Sequence, residues 1–590
     1  MRSSILVTQA ELLSRIDGKR LRRHVEQIAK SFPYRLAGTA AGRGMAYYSA
    51  RNLSEAGVQS SVEEIEAFVS FPGAARVVLS GTESLEFLAQ TCAHSASTGV
   101  EGVTAPIIDV GGGTLDDLRR HDVRGKIVLT DLAKAPARPE KQRLAARAGA
   151  VGCININWGA PHGTDLPYGS VKPAWGNPVP GTSDIDMGSL PCVGISRADG
   201  LRLQALLDNG PRAARLHAQA DNRWAPIHYT LGHIAGLSSD FVIAGGHQDS
   251  WIGPAATDNA TGSACLLELA RVFASEGGHL RRGLKFGFWA GHETGTMASS
   301  THFVDRNWDV LRDHAAAYLQ IDQPACAGTW RWGSHSTVEL RRLQQEVEAA
   351  VLGDRPRTWR RSTKIGDASF FGLGVPMLAG IAGFTADELA ASGNAPFGWW
   401  HHTTENTLDK VNWDDLTVHA RVYAAYLWEL CTVPVLALDF PAVADGLIKR
   451  LQELSACGER VGISPLLAQA QRLRERTAQL DEVIAAFNRQ CASAREVDED
   501  KAGRLTTAVK RLSRCLLPIE STAVGTYGHD PYGLTAQSTV LPALFELPAL
   551  AALPPDTESH RRLQTQLLRD RNRISDSLAA AIEAAAVHEG

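Results

Sequence analysis

Residues 245–251 read GGHQDSW, followed by TDNATG at 257–262 and FWAGHETG at 288–295. Each stretch offers a potential metal ligand just beyond a short apolar run bounded by glycine. Residues 241–246 (FVIAGG) and 284–290 (LKFGFWA) have the profile of parallel strands buried on both faces. Ligands of open α/β sheets collect in the crevice past the carboxyl ends of such strands. YLQID ends a third run on Asp322, and WWHHTTENTLDK presents His401 and His402. One imidazole at each end of the series, with carboxylates between, is what a pair of zinc ions would require.

The texture of the chain changes on both sides of this core. Residues 11–57 alternate two amphipathic helical patterns around the loop PYRLAGTAAG. Residues 69–223 turn to short strands and Gly/Pro-rich loops. There KIVLTDL (126–132) and GAVGCININ (149–157) read as strands joined by the helix EKQRLAARAG, a small βαβ unit. Residues 173–191 read as a loop. Beyond residue 440 the pattern is helical, as in LLAQAQRLRERTAQLDEVIAAFNRQ and HRRLQTQLLRDRNRISDSLAAAIEAA.

At 590 residues the chain exceeds what one hydrophobic core usually supports, so two to four domains are expected. A net charge of −4 speaks against nucleic acid or an anionic membrane as the main partner. The N-terminal stretch MRSSILVTQAELLSRIDGKR lacks a sustained apolar segment, and no apolar run is long enough to span a bilayer. Nine scattered cysteines, never in a CxxC pair, suit buried free thiols in a reducing cytoplasm.

Single residues leave alternatives open. Asp249 lies two positions after His247; on an extended segment both point the same way, so this carboxylate can orient the imidazole or a ligand beside it. Asp258 opens the helical stretch NATGSACLLELARVF, where it is either a ligand or an N-cap. Glu293 and Asp322 both terminate apolar runs and are ligands or loop residues. His402 is a ligand or a structural histidine.

GGHQDSW, DNATG, FWAGHETGTMAS, YLQID and HHTTENT, in this order, resemble the motifs of the co-catalytic zinc exopeptidases, a superfamily that includes bacterial aminopeptidases, glutamate carboxypeptidase and the transferrin receptor. RLAGTAAGRGMAYYSARNLSEAG resembles the opening helix of the large branch, and GDASFFGLGVP the segment beneath its active site. The resemblance implies an α/β fold with a mixed, mainly parallel sheet and helices on both faces. It also implies an inserted β-rich, protease-associated apical domain and a helical dimerisation domain. The implied boundaries are 1–68 and 226–440 for the two parts of the peptidase-like domain, 69–225 for the insert, and 441–590 for the helical domain. Carried over by position, His247 binds one metal, His402 the other, and Asp258 bridges them. Glu293 and Asp322 complete the two coordination spheres, with Asp249 as the supporting carboxylate. Two zinc ions would then hold and acidify a bridging water.

The chain departs from this pattern at two places. Where working members carry a glutamate base, it has His292. That residue is open to three readings: a general base, an additional ligand or substrate contact, or the mark of a protein that no longer hydrolyses peptides. A neutral histidine also removes a negative charge, which would favour an anionic substrate group. His401 replaces the usual aromatic and is read as an oxyanion donor or as packing beside Trp399 and Trp400. Arg360, Arg361 and Lys364 are basic candidates whose plainer reading is a solvated turn. TYGHDPYGL (526–534) is expected to fold towards a partner's active site. The expectation is a zinc-dependent hydrolase of an amide or peptide bond, acting on a small peptide or N-acyl amino acid as a homodimer. A catalytically inactive binding protein, or a metalloenzyme of altered chemistry such as acyl transfer or cyclisation, is the alternative.

Overall fold

The computed structural model describes residues 8–80, 85–182, 186–493 and 496–586. The first seven residues of the N-terminal stretch weighed above as a leader, and part of the 173–191 loop, lie outside the described residues. Strand β8 (Phe241–His247) has parallel neighbours on both sides, β9 (Gly283–Trp289) and β10 (Ala315–Gln320). On the far side of β10 lies β13 (Met377–Gly383), also parallel, followed by antiparallel β11 (Arg331–Ser336) and the edge strand β12 (Arg357–Arg361). β8 and β10 are buried along their whole length, so their sequences run apolar without alternation. Alternate residues nevertheless serve different cores. Val242 and Ala244 join the cluster under the helices Gly18–Ser31, Thr261–Phe273 and Trp413–Thr432, whereas Phe241 and Ile243 join Tyr318, Phe370 and Phe371 on the opposite face.

Two long strands carry the chain from this sheet into the insert and back. β1 (Gln59–Leu79) and β7 (Ala213–Ile234) pair antiparallel from Gln59↔His233 to Leu79↔Ala214, with one irregularity between Pro72 and Ala75. Their near ends lie beside β9, where Thr230–Ile234 pairs with it. Their far ends close a ring with β2 (Leu85–Thr91), β6 (Cys192–Ile195), β5 (Gly152–Ile156), β4 (Ile127–Asp131) and β3 (Val103–Asp109). The boundaries expected at 68/69 and 225/226 therefore fall inside a continuous ribbon, where Phe68 faces Trp224 and Val69 faces Arg223.

Four long helices, Phe440–Gly458, Ser464–Ser493, Glu499–Ser521 and Glu558–Ala585, close the chain. Part of their apolar faces is buried within the chain. Leu447, Leu466, Leu480, Leu512 and Ile574 belong to the same buried cluster as the sheet residues Val242 and Phe286. Among the described residues no helix is long and apolar enough to cross a membrane.

Candidate metal centre

The carboxyl ends of β8, β9 and β10 deliver His247, Glu293 and Asp322 to one place. Close packing of the strands is required for this: a Cβ on Gly246 would meet the carbonyl oxygen of Ile321 at 2.2 Å. Asp258 arrives from a distorted turn, with φ −123° and ψ 86° and a cis bond to Asn259. The N-cap reading of Asp258 fails, because the helix Thr261–Phe273 begins after Ala260 and the side chain that accepts from its first turn is Asn259, not Asp258. Instead Asn259 ties the strand ends together. Its Nδ2 donates to the carbonyls of His247 and Ile321, and its Oδ1 accepts from the amides of Gly262 and Gln323. Asn406 does the same for the histidine loop, accepting from Thr257 N and Oγ1. Five non-glycine residues around this point, Ala255, Thr296, Met297, Gln323 and His402, hold positive φ between 45° and 63°. Such a concentration of left-handed backbone marks a site over-determined by its surroundings.

The ligand atoms converge. His247 Nε2 is 3.1 Å from both Asp258 Oδ1 and Asp322 Oδ1, and His402 Nε2 is 3.2 Å from Asp258 Oδ2 and 3.5 Å from Glu293 Oε2. Two ligands each about 2.0–2.1 Å from one zinc ion in a tetrahedron are about 3.3–3.4 Å apart, so these spacings are compatible with atoms sharing a cation. Asp258 turns one oxygen towards each histidine. Both imidazoles are oriented from behind: His247 Nδ1 donates to the Asp249 carbonyl at 3.0 Å, and His402 Nδ1 to the Tyr168 carbonyl at 3.2 Å. That arrangement leaves each Nε2 lone pair facing the cage.

Asp249 differs from the expectation in which group does the orienting. Its backbone carbonyl meets His247, while its carboxylate lies 3.8 Å from Nδ1 and accepts from the amides of His292 and Glu293. It fixes the turn after β9, and so the aim of Glu293. His292 stacks face to face on His247, with ring centres 3.9 Å apart and planes 11° apart. Its Nδ1 lies 2.9 Å from Asp367 Oδ2. Asp367 in turn accepts from Ser300 Oγ, which contacts Ser369, the acceptor for Trp175 Nε1 of the insert. Asp367 was not singled out in the sequence, although GDASFF was placed beneath the site. Gly366 makes the approach possible: it has φ +57°, and a Cβ there would sit 1.7 Å from Gln320 Nε2. The expected loss of a negative charge at position 292 is thus offset by the carboxylate immediately behind the ring. His401 packs between Trp158 and His402, at 5.3 and 3.9 Å between ring centres, rather than against Trp399 and Trp400. Its Nδ1 is 3.2 Å from Asp258 Oδ2.

Electrostatics explain why a cation fits. Burial, together with the neighbouring Asp258, pushes the Glu293 carboxyl up to about 8. Burial opposes ionisation of Asp258 too, but the imidazoles of His247, His401 and His402 outweigh it and hold this carboxyl well below the usual range. Burial and His247 lower the basicity of His292, yet Asp367 and Glu293 prevail and hold it at about 9. Glu293 Oε1 is buried without a hydrogen-bond partner among the described residues, and Asp258 Oδ1 and His401 Nδ1 have only each other's side chains and His247 close by, in poor hydrogen-bond geometry. Crowded carboxylates with orphaned oxygens are costly unless cations compensate them.

Other segments that sequence reasoning missed complete the surroundings. Arg35, fully buried, binds the backbone of the loop between His247 and Asp258. From the insert, Lys172 Nζ donates to the carbonyl of Gly295 and His94 contacts that of Thr294, pinning the backbone after Glu293. Neither residue has a sequence signature, because their partners are backbone carbonyls. The metal-facing side opens into a cavity of about 810 Å³ lined by Arg138, Trp158, Arg331, Arg360, Phe397 and Tyr532, among others. Tyr532 of TYGHDPYGL lines this chain's own cavity. The solvated-turn reading of the basic residues holds only in part: Arg360 is exposed but, with Arg361, ends the edge strand β12 rather than a turn, and Lys364 is buried over Trp175, where burial pushes its ammonium down to about 7.

Residues 230–427 match Peptidase family M28, and residues 91–203 match the PA domain. The chain is 28% identical over 300 residues to the probable lipoprotein aminopeptidase LpqL of Mycobacterium tuberculosis, covering 49% of this chain and 55% of that protein. The chain thus spans about half the length of that relative. It is 25% identical over 490 residues to the probable glutamate carboxypeptidase VP8 of Zea mays, covering 71% of this chain and 68% of that one. In structure it resembles the aminopeptidase from Aneurinibacillus sp. strain AM-1, with a TM-score of 0.54 at 21% identity over 72% of this chain and 96% of the other. With its mainly parallel sheet, its cluster of two histidines and three carboxylates, and its strand-linked insert, the chain carries a Peptidase family M28 region at residues 230–427 and an inserted PA domain at residues 91–203, and in fold it is similar to zinc exopeptidases.

Proposed function

We propose that the protein is a zinc-dependent hydrolase of an amide or peptide bond in a small substrate, with His292 in place of a glutamate as proton carrier. The observation that carries this reading is the cage itself, in which Asp258 stands 3.1 Å from His247 and 3.2 Å from His402. Divalent cations bound there supply Lewis-acid polarisation of a carbonyl and a water nucleophile available near neutral pH. His247, Asp322, Asp258, Glu293 and His402 would hold them.

The proton work falls to His292. Its ring is nearly parallel to that of His247 at 3.9 Å, so an ion lying in the plane of one imidazole is well out of the plane of the other. A shared ion about 2.0–2.1 Å from both nitrogens is therefore disfavoured, which speaks against the ligand reading. Asp367 accepts from Nδ1, so Nε2 is the nitrogen that exchanges a proton with the water and the leaving amine, once neighbouring cations have lowered the basicity that holds the ring at about 9 in their absence. Neighbouring cations lower the basicity of an imidazole, and the carboxylate behind it opposes that effect.

Substrate choice follows from the cavity. Arg138, Arg331 and Arg360 line it, and among the described residues none has a hydrogen-bond or ion-pair partner. A substrate carrying a carboxylate would provide one, so the anionic preference rests on these guanidinium groups rather than on the neutrality of His292. Enclosure by Arg138 and Trp158 from the insert favours a small substrate and exopeptidase action. A homodimer in the cytoplasm, without nucleic acid or membrane as partner, completes the proposal.

The test is a zinc assay beside a panel of acidic and neutral dipeptides and N-acyl amino acids. We expect about two zinc ions per chain, turnover abolished by chelation, and a larger rise in KM for acidic than for neutral substrates in Arg138→Ala and Arg360→Ala. A protein that binds no zinc, or binds zinc and hydrolyses nothing on the panel, refutes the reading.

A further inference from the structure

Arg35 is an arginine with no exposed surface and, among the described residues, no carboxylate in contact, although a buried guanidinium ordinarily has an anionic partner. All of its bonding goes to backbone carbonyls. Nε donates to Gln248 O at 3.0 Å, Nη1 to Pro254 O at 3.0 Å and Nη2 to Ala255 O at 2.8 Å. Longer contacts at 3.5 Å reach Phe32 O and Asp258 O. Four of these five acceptors belong to residues 248–258, the loop that begins after His247 and ends on Asp258. Within that loop Ala255 holds φ 45°, a conformation that a free chain avoids and that needs external support.

We propose that Arg35 is a positioning residue for the metal cage: its guanidinium fork gathers the 248–258 loop so that Asp258 faces His247 and His402 before any cation arrives. The inference rests on the zinc reading above and goes beyond it, because it assigns the preformed geometry to a residue outside the ligand set, on the N-terminal segment. A rigid planar fork is what the task requires. Three carbonyls at separate points of one loop are met in fixed directions, which the single ammonium of lysine cannot reproduce.

Two effects of Arg35 on zinc binding have opposite signs, and this makes the idea testable. The charge of Arg35 repels cations, so if charge were its main influence, a neutral replacement would tighten zinc binding. Holding the loop spares the ordering cost on binding, so if geometry dominates, any replacement weakens it.

The experiment measures zinc affinity of the metal-stripped full-length protein by competition with a chromophoric chelator, for the parental chain, Arg35→Met and Arg35→Lys. Thermal unfolding and hydrogen exchange of residues 248–258 are followed alongside. We expect both variants to bind zinc at least about ten-fold more weakly, as for other groups that orient metal ligands, with faster exchange in the loop. Arg35→Met binding zinc as tightly as the parental chain, or more tightly, overturns the proposal. If Arg35→Met does not fold, Arg35→Lys decides: unchanged affinity and unchanged loop exchange refute the role of Arg35. A parental chain that takes up no zinc refutes the zinc reading and this inference with it, whereas parental binding that both variants keep refutes this inference alone.

Discussion

The pairing of His292 with Asp367 makes a prediction about two substitutions that neither alone can test. Asp367 Oδ2 lies 2.9 Å from His292 Nδ1, and both groups are largely enclosed. Asp367→Asn can present its amide NH₂ to that nitrogen and move the proton to Nε2, the side that must accept one. General base catalysis contributes about 10²–10⁴-fold, so kcat/KM should fall by at least about 100-fold with zinc content unchanged. His292→Glu restores the residue type usual in the superfamily, yet it places a second carboxylate beside Asp367. At about 4 Å and an effective dielectric of about 20, two like charges repel by about 4 kcal/mol, close to three pKa units. The introduced glutamate would then hold its proton near neutral pH and fail as a base. Combining His292→Glu with Asp367→Asn removes the repulsion and should recover most of the activity lost by either change. Steady-state kcat/KM on the best substrate of the panel, with zinc measured on the same samples, reads the coupling. A double variant no better than His292→Glu alone would refute the dyad.

Two further predictions concern the scaffold. Gly366→Ala drives a methyl group into Gln320 Nε2 at a position of φ +57°, so it should shift Asp367 and lower kcat/KM in the same direction as Asp367→Asn, while costing about 1–3 kcal/mol in chemical denaturation; unchanged kinetics would show that the segment is not held by this glycine. Burial raises the Asp415 carboxyl, but the two-pronged contact with Arg355 (2.5 and 2.8 Å) and the His419 ring outweigh it, so its folded pKa is depressed. A depressed acid stabilises the fold above its unfolded pKa of about 3.9, and that contribution is lost as pH falls towards the folded value. Asp415→Asn should therefore cost roughly 2–3 kcal/mol near neutral pH, less than a fully buried pair because Arg355 keeps some solvent contact, and the gap from the parental chain should close below about pH 4. A gap independent of pH would assign the loss to packing.

Much of the centre could be read before any coordinates because its ligands sit at strand ends, where apolar runs stop abruptly on His247, Glu293 and Asp322. Periodicity and motif order carry that information in side-chain identity. What escaped the sequence was held by backbone or by fold. Arg35 lies in PYRLAGTAAG, which reads only as a loop, because its partners are carbonyls that every residue possesses. Asp367 becomes meaningful only when residues 366–369 cross under β9, a contact 75 positions away in the chain. The ribbon of β1 and β7 was missed because FPGAA at 71–75 and WAP at 224–226 look like breaks. In the fold the first is an irregularity in a strand that continues beyond it.

That ribbon also bears on why the insert and the metal centre occur in one chain. Of the two histidines that face the cage, His247 is oriented by a carbonyl two residues away, but His402 depends on Tyr168, which belongs to the insert. The same insert supplies Lys172 and His94 to the backbone after Glu293, and Trp158 to the His401 ring. A flexible tether would oblige these contacts to form at the expense of the tether's freedom each time the centre assembled. Two strands hydrogen-bonded to each other along nearly their whole length remove that freedom once, at folding, and hold Tyr168 at the distance His402 needs. The insert is thus as much a part of the cage as the strands that carry the ligands, and its geometry reaches the centre through carbonyl oxygens that no motif records.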